Sequence, residues 1–109
     1  MNAKPKIAKL EATTSRPNTR RAERRIAGAE ATVWSSGGER SHAQIRDVSV
    51  FGCSLVTEAE WLRTGIFLTV EFAPDWSIQA IVRWAREGVC GVEFLRAISE
   101  ADASNIASD

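Results

Sequence analysis

The chain has 109 residues, enough for one domain with a modest core, since a chain of this size buries roughly 60 to 70 % of its unfolded surface. Fourteen basic and fourteen acidic residues cancel, but they are segregated: residues 1–28 carry eight Lys or Arg and two Glu, whereas residues 29–109 carry six basic and twelve acidic groups. A basic arm precedes an acidic body, and the lack of any signal-like or bilayer-length apolar run predicts a cytoplasmic protein without membrane insertion.

Residues 1–19 mix Lys, Thr, Ser, Pro and Asn with little apolar material. They are expected to form a flexible arm, because they offer too little burial to offset the entropy of ordering. The folded domain is expected over residues 20–109. It begins with the cluster Arg20-Arg21-Ala22-Glu23-Arg24-Arg25. A first strand is predicted over Ala31–Trp34, and Ser35–Arg40 is a turn by composition. The second strand covers Ala43–Val48 and the third Cys53–Val56, with a corner at Ser49–Gly52. Thr57-Glu58-Ala59-Glu60 has the form of a capping box and predicts one helical turn over Glu58–Leu62.

Ile66, Leu68, Val70 and Phe72 share one face of a fourth strand. After the turn at Ala73-Pro74-Asp75, the residues Ile78, Ala80, Val82 and Trp84 line a fifth. Arg86-Glu87-Gly88 is a tight reversal into a sixth strand that buries Cys90, Val92 and Phe94. Ser99 and Asp102 start a short C-terminal helix reaching about Ala107, with Ile98 as a staple. The predicted class is all-β: a small six-stranded antiparallel barrel with a flexible basic N-terminal arm and a short C-terminal helix. Closure into a barrel removes sheet edges.

The chemical inventory argues against an enzyme. The single histidine, His42, reads as an exposed loop residue, and no Cys, His, Asp or Glu cluster has metal-ligand spacing. Cys53 and Cys90 read as reduced, packed thiols. No cofactor is expected. The stretch Arg46-Asp47-Val48-Ser49-Val50-Phe51-Gly52-Cys53 is the chemically distinctive one. Asp47 and Ser49 are two residues apart and leave the same face of an extended segment. Gly52 follows where the backbone turns or lets something approach.

Arg21-x-x-x-Arg25, followed by Asp47-x-Ser49-x-x-Gly52 at a β-hairpin, resembles the two-part signature of the PilZ domain family. Val82-Arg83-Trp84-Ala85-Arg86-Glu87-Gly88 with Gly91-Val92-Glu93-Phe94 is similar to that family's last hairpin. The resemblance runs from about Arg20 to Ile106. It implies a bacterial domain that binds cyclic di-GMP, with Arg21 and Arg25 gripping guanine and phosphate, Asp47 and Ser49 holding the base edge, and Gly52 permitting close approach. Arg20 and Arg24 form a second Arg-x-x-x-Arg pair one residue earlier. Arg21/Arg25 is the expected register, because Arg25 precedes Ile26, the expected start of barrel packing, and Arg20 or Arg24 can still touch phosphate. Trp84 is expected to complete the barrel core, and it is also a candidate support for a base.

The residue types suit that ligand. Guanine presents O6 and N7 acceptors, which Arg can hold bidentately, and N1 and N2 donors, which a carboxylate can accept. Arg also stacks on bases and pairs with phosphate, as Lys does less well. The implied function is a stand-alone cyclic di-GMP receptor or adaptor in which the ligand orders the arm and changes the surface offered to a downstream protein. Two alternatives stand beside it: a ligand-independent interaction domain, and a nucleic-acid-binding small barrel using the basic arm.

Overall fold

The computed structural model of the protein describes residues 23–108. Its elements are β1 (Arg25–Ile26), β2 (Glu30–Ser35), β3 (Arg40–Val48), β4 (Gly52–Val56), β5 (Phe67–Ala73), β6 (Trp76–Arg86), β7 (Val89–Phe94) and α1 (Glu100–Ser108). Six strands close an antiparallel barrel in the order β3, β2, β5, β6, β7, β4 and back to β3, and β1 is added beside β3. The expected six-stranded barrel and C-terminal helix are present. The added β1 escapes sequence analysis because two residues carry no periodicity. The arm expected over residues 1–19, with Arg20 and Arg21, lies outside the described residues.

β3 closes the barrel because it is long enough to serve different partners along its length. Its first half pairs with β2, from Trp34 opposite Arg40 to Glu30 opposite Gln44. Its second half pairs with β4, from Gln44 opposite Val56 to Val48 opposite Cys53. Residues 25–29 take the edge that β2 leaves. Arg25 lies opposite Val48 and Ile26 opposite Asp47, Ala27 N donates to Arg46 O at 3.0 Å, and Ile45 N donates to Ala29 O at 2.7 Å.

Alternation sends Val33, Ile45, Val48, Leu55, Val70 and Val82 inward, where all are fully buried. Each such side chain stabilises the fold by about 1.5–3 kcal/mol relative to an exposed one. The helix α1 adds Ala103 and Ile106 to the buried set. Its start follows the expected cap, with Asp102 N donating to Ser99 Oγ at 3.0 Å. The β6–β7 hairpin has a two-residue loop in which Glu87 and Gly88 both take positive φ, 48° and 83°. That pair of left-handed residues matches the right-handed twist of the flanking strands.

No helix forms over Glu58–Leu62, where a single isolated turn closes with Leu62 N donating to Ala59 O at 3.4 Å. Thr57 Oγ1 accepts from Ala59 N at 3.2 Å and donates to His42 O at 3.0 Å, so the hydroxyl makes a local turn and ties the segment to β3. Trp61 Nε1 donates to Ser41 Oγ at 3.1 Å and Leu62 is buried in the core. These tertiary anchors outweigh the local capping preference. His42 is exposed as expected, but it lies on β3.

Cys53 and Cys90 are free and buried. Burial pushes the Cys90 thiol up to about 11. Cys53 is raised further, first by burial, then by Cys90 and Asp47, with Arg24 acting in the opposite direction.

Two β-bulges control what reaches the outside of the barrel. In β3, Ile45 faces Leu55 and Asp47 faces Ser54, which leaves Arg46 as the extra residue. In β6, Val82 faces Val92 and Trp84 faces Gly91, which leaves Arg83 as the extra residue. A bulge breaks the strict inward and outward alternation. Val82 points inward, yet Trp84, two residues on, pairs with the outward-facing Gly91. Trp84 is therefore not the core residue that its spacing from Val82 predicts.

Candidate functional site

Backbone register assembles the site from four strands. Asp47 on β3 is opposite Ser54 on β4, Ser54 is opposite Gly91 on β7, and Gly91 is opposite Trp84 on β6. This row faces outward, between inward rows that carry Val48, Cys53, Val92 and Val82 on one side and Leu55 and Cys90 on the other. Its ends are a carboxylate and an indole, and its middle is a hydroxyl and a glycine. The result is a trough over a cavity of ≈ 780 Å³, a size within the roughly 300–1,000 Å³ usual for ligand sites.

The two glycines have distinct reasons. A Cβ on Gly52 would overlap the carbonyl oxygen of Val92, and a Cβ on Gly91 would overlap the five-membered ring of the Trp84 indole. Gly52 thus admits the neighbouring strand β7, and it also lines the trough. Gly91 lets the indole lie down on the sheet, with the Arg86 guanidinium 5.5 Å from the ring centroid.

Asp47 sits between two arginines. Arg24 Nε and Nη2 both donate to Asp47 Oδ1, at 3.1 and 2.6 Å, and Arg46 Nε lies 3.7 Å from Oδ2. Arg24 reaches this carboxylate because strand alternation turns adjacent residues of the arm to opposite sides. Arg25 accordingly turns toward α1, with Nη2 3.3 Å from Glu100 Oε1 and 3.4 Å from Glu23 Oε1. Ile26, expected to begin the barrel packing, is 85 % exposed. Apolar packing of the arm against the core therefore starts one residue later, at half-buried Ala27.

Ser49 does not share an open face with Asp47. It is fully buried, its Oγ accepts from Phe51 N at 3.2 Å, and its backbone N donates to Gly52 O at 2.8 Å. The hydroxyl shapes the corner between β3 and β4. The bulge at Arg46 and the tight corner explain the difference from an evenly extended segment.

Of the residues expected from sequence, Arg24, Asp47, Gly52 and Trp84 line one cavity. Arg25 and Ser49 lie beside it in other roles, and Arg20 and Arg21 are outside the described residues. Arg46, Phe51, Ser54, Arg83 and Glu93 also line the cavity, and sequence analysis missed them as site residues. Ser54 had a signal, since Cys53 and Leu55 on either side are apolar. Arg46 and Arg83 had none, because their placement depends on the bulges.

The outward row thus brings one residue of the two-part motif, Asp47, together with an arginine of the arm, Arg24, and the motif's Gly52 lines the same trough. A PilZ domain family model matches residues 18–108. The chain belongs to the PilZ domain family. The domains of this family are ligand-binding and adaptor domains associated with cyclic di-GMP. Comparison with curated proteins returns no match. Among the described residues, no helix is long and apolar enough to cross a membrane.

Proposed function

We propose that this PilZ domain is a bacterial receptor for cyclic di-GMP that holds the dinucleotide over the Asp47–Trp84 trough and signals to a partner protein. The observation that carries this reading is the two-bond contact of Arg24 with Asp47 Oδ1 at the edge of a trough that ends in an indole. Both complements of a guanine edge are present there. A carboxylate accepts from N1–H and N2–H, and a guanidinium donates to O6 and N7 or to phosphate.

Binding is then an exchange. Guanine donors compete with Arg24 for Asp47 Oδ1, and the released guanidinium turns to the acceptor edge or a phosphate oxygen. Because Arg24 is joined to β1 through Arg25, this exchange repositions the start of the arm, which carries Arg20 and Arg21 as further cations. Trp84 supplies a flat face for stacking. Ser49 acts by setting the corner that aims Asp47, and Gly52 keeps the trough edge free of a side chain. Arg24, paired with Arg20, is the better-placed register, since Arg25 is directed to Glu100. The reading gives the domain no catalytic role and no cofactor. It places the domain in the cytoplasm, where the altered arm and barrel edge are what a downstream protein reads.

Titration calorimetry of the full chain with cyclic di-GMP, with GTP and a short single-stranded oligonucleotide as controls, tests the proposal. Saturable heat with cyclic di-GMP alone is the expected result, and its stoichiometry counts the ligand molecules per site. A folded protein that gives no heat is a ligand-independent interaction domain. Preferential oligonucleotide binding with steep salt dependence makes the arm a nucleic-acid clamp.

A further inference from the structure

The second bulge delivers a second arginine–carboxylate pair to the same trough. Arg83 is the extra residue of β6, so Arg83 and Trp84 both reach the outer surface where strict alternation would send only one. Arg83 Nε donates to Glu93 Oε1 at 2.6 Å. Glu93 lies on β7 opposite Gly52, one outward row along from Gly91. Arg83 and Glu93 line the cavity that Arg24 and Asp47 line. The two carboxylates are carried on strands separated by β4 alone and sit one outward row apart, so about two strand spacings across and two residues along, roughly 12 Å over the sheet, divide them. The ground between them is Ser54, Gly52 and Gly91, which raise no large side chain.

Resting on the cyclic di-GMP reading above, we propose that the Arg83–Glu93 pair is a second guanine-edge receptor, so that the trough holds each base of the dinucleotide by its own arginine–carboxylate pair. The chemistry repeats that of Arg24 and Asp47: Glu93 accepts from N1–H and N2–H, and Arg83 donates to O6 and N7. Each pair trades its internal ion pair for two base contacts, with Trp84 beside the second base. A merely structural Arg83–Glu93 pair makes a different forecast. Both side chains are half exposed, at 59 and 49 %, and an exposed pair adds little to stability and nothing to base choice.

The test is base selectivity. The full chain and Glu93→Gln are titrated with cyclic di-GMP and with the mixed cyclic dinucleotide of one guanine and one adenine, and melting curves confirm that both proteins fold. The unsubstituted protein is expected to prefer cyclic di-GMP by at least tenfold, because adenine presents no N1–H or N2–H donors to the second carboxylate. In Glu93→Gln that preference is expected to fall to about threefold or less, mainly through weaker cyclic di-GMP binding, since Asp47 still takes the single guanine of the mixed ligand. A Glu93→Gln protein that keeps the full preference overturns the second receptor and leaves the function standing. An unsubstituted protein that binds neither cyclic dinucleotide overturns the receptor function, and this inference with it.

Discussion

Two adjacent rows cross the same four strands and have opposite characters. The inward row is Val48, Cys53, Val92 and Val82, at 0, 1, 5 and 0 % exposure. The outward row is Asp47, Ser54, Gly91 and Trp84. Each residue of one is the chain neighbour of a residue in the other, except at β6, where Arg83 intervenes. The contrast shows how a small barrel separates its two faces: the inner face is filled with matched apolar volume, and the outer face leaves its middle low. The bulges at Arg46 and Arg83 make this possible, because they bring polar or aromatic groups outward without removing an apolar residue from the core.

The comparison breaks most strongly from the inside. Leu55→Ala, in the next inward row, is expected to lower stability by about 2–5 kcal/mol through transfer and cavity losses. Urea unfolding would show this as a lower midpoint, and an unchanged midpoint would contradict the packing assigned to β4. From the outside, Asp47→Ala is expected to weaken cyclic di-GMP binding by about 2–5 kcal/mol, as removing one member of a desolvated charged contact does. Its melting temperature should stay close to that of the unsubstituted protein. A collapsed fold would make Asp47 structural.

Trp84→Ala sharpens the contrast. An indole that supports a base is worth about 1–3 kcal/mol of affinity, whereas a tryptophan in the core would cost about 3–5 kcal/mol of stability. Lost affinity with little change in melting is expected, and the reverse pattern would place Trp84 inside. The smallest effect is pH dependence in the inward row. Cys90 has its thiol raised from 9.0 to about 11 by burial. The unfolded chain releases that proton first, so stability is constant below about pH 9 and falls above it, by about 1 kcal/mol at pH 10 for this group. Cys53 acts in the same direction. Chemical denaturation at pH 8 and pH 10 measures the sum, and slow labelling of both thiols in the folded protein at pH 8 is the companion result.

Much of the fold was legible because its signals are local. Alternation in Leu68 and Val70 and in Cys90, Val92 and Phe94 marks half-buried strands without reference to any partner. Pro74-Asp75 and Glu87-Gly88 mark the reversals between them. The site was legible as a set of residue types rather than as an arrangement. Residue type marks both Asp47 and Trp84, yet even spacing pairs Asp47 with Ser49 and sends Trp84 to the core. Ser54, the true cross-strand neighbour of Asp47, carries no local mark beyond its apolar flanks. At Glu58–Leu62 no helix follows the single turn for the opposite reason, since a good local cap loses to the hold of β3 on Thr57 and of the core on Leu62.

The amino-acid sequence by itself determined a closed barrel of short strands, an arginine-rich approach to it and a motif with the complements of a guanine nucleotide, because periodicity, turn chemistry and side-chain type are properties of neighbouring residues. Tertiary structure alone decided which arginine meets Asp47, that Trp84 lies outside on Gly91, and that Arg83 and Glu93 share the trough. Those outcomes depend on strand register, and one extra residue in a bulge reassigns the faces of everything after it.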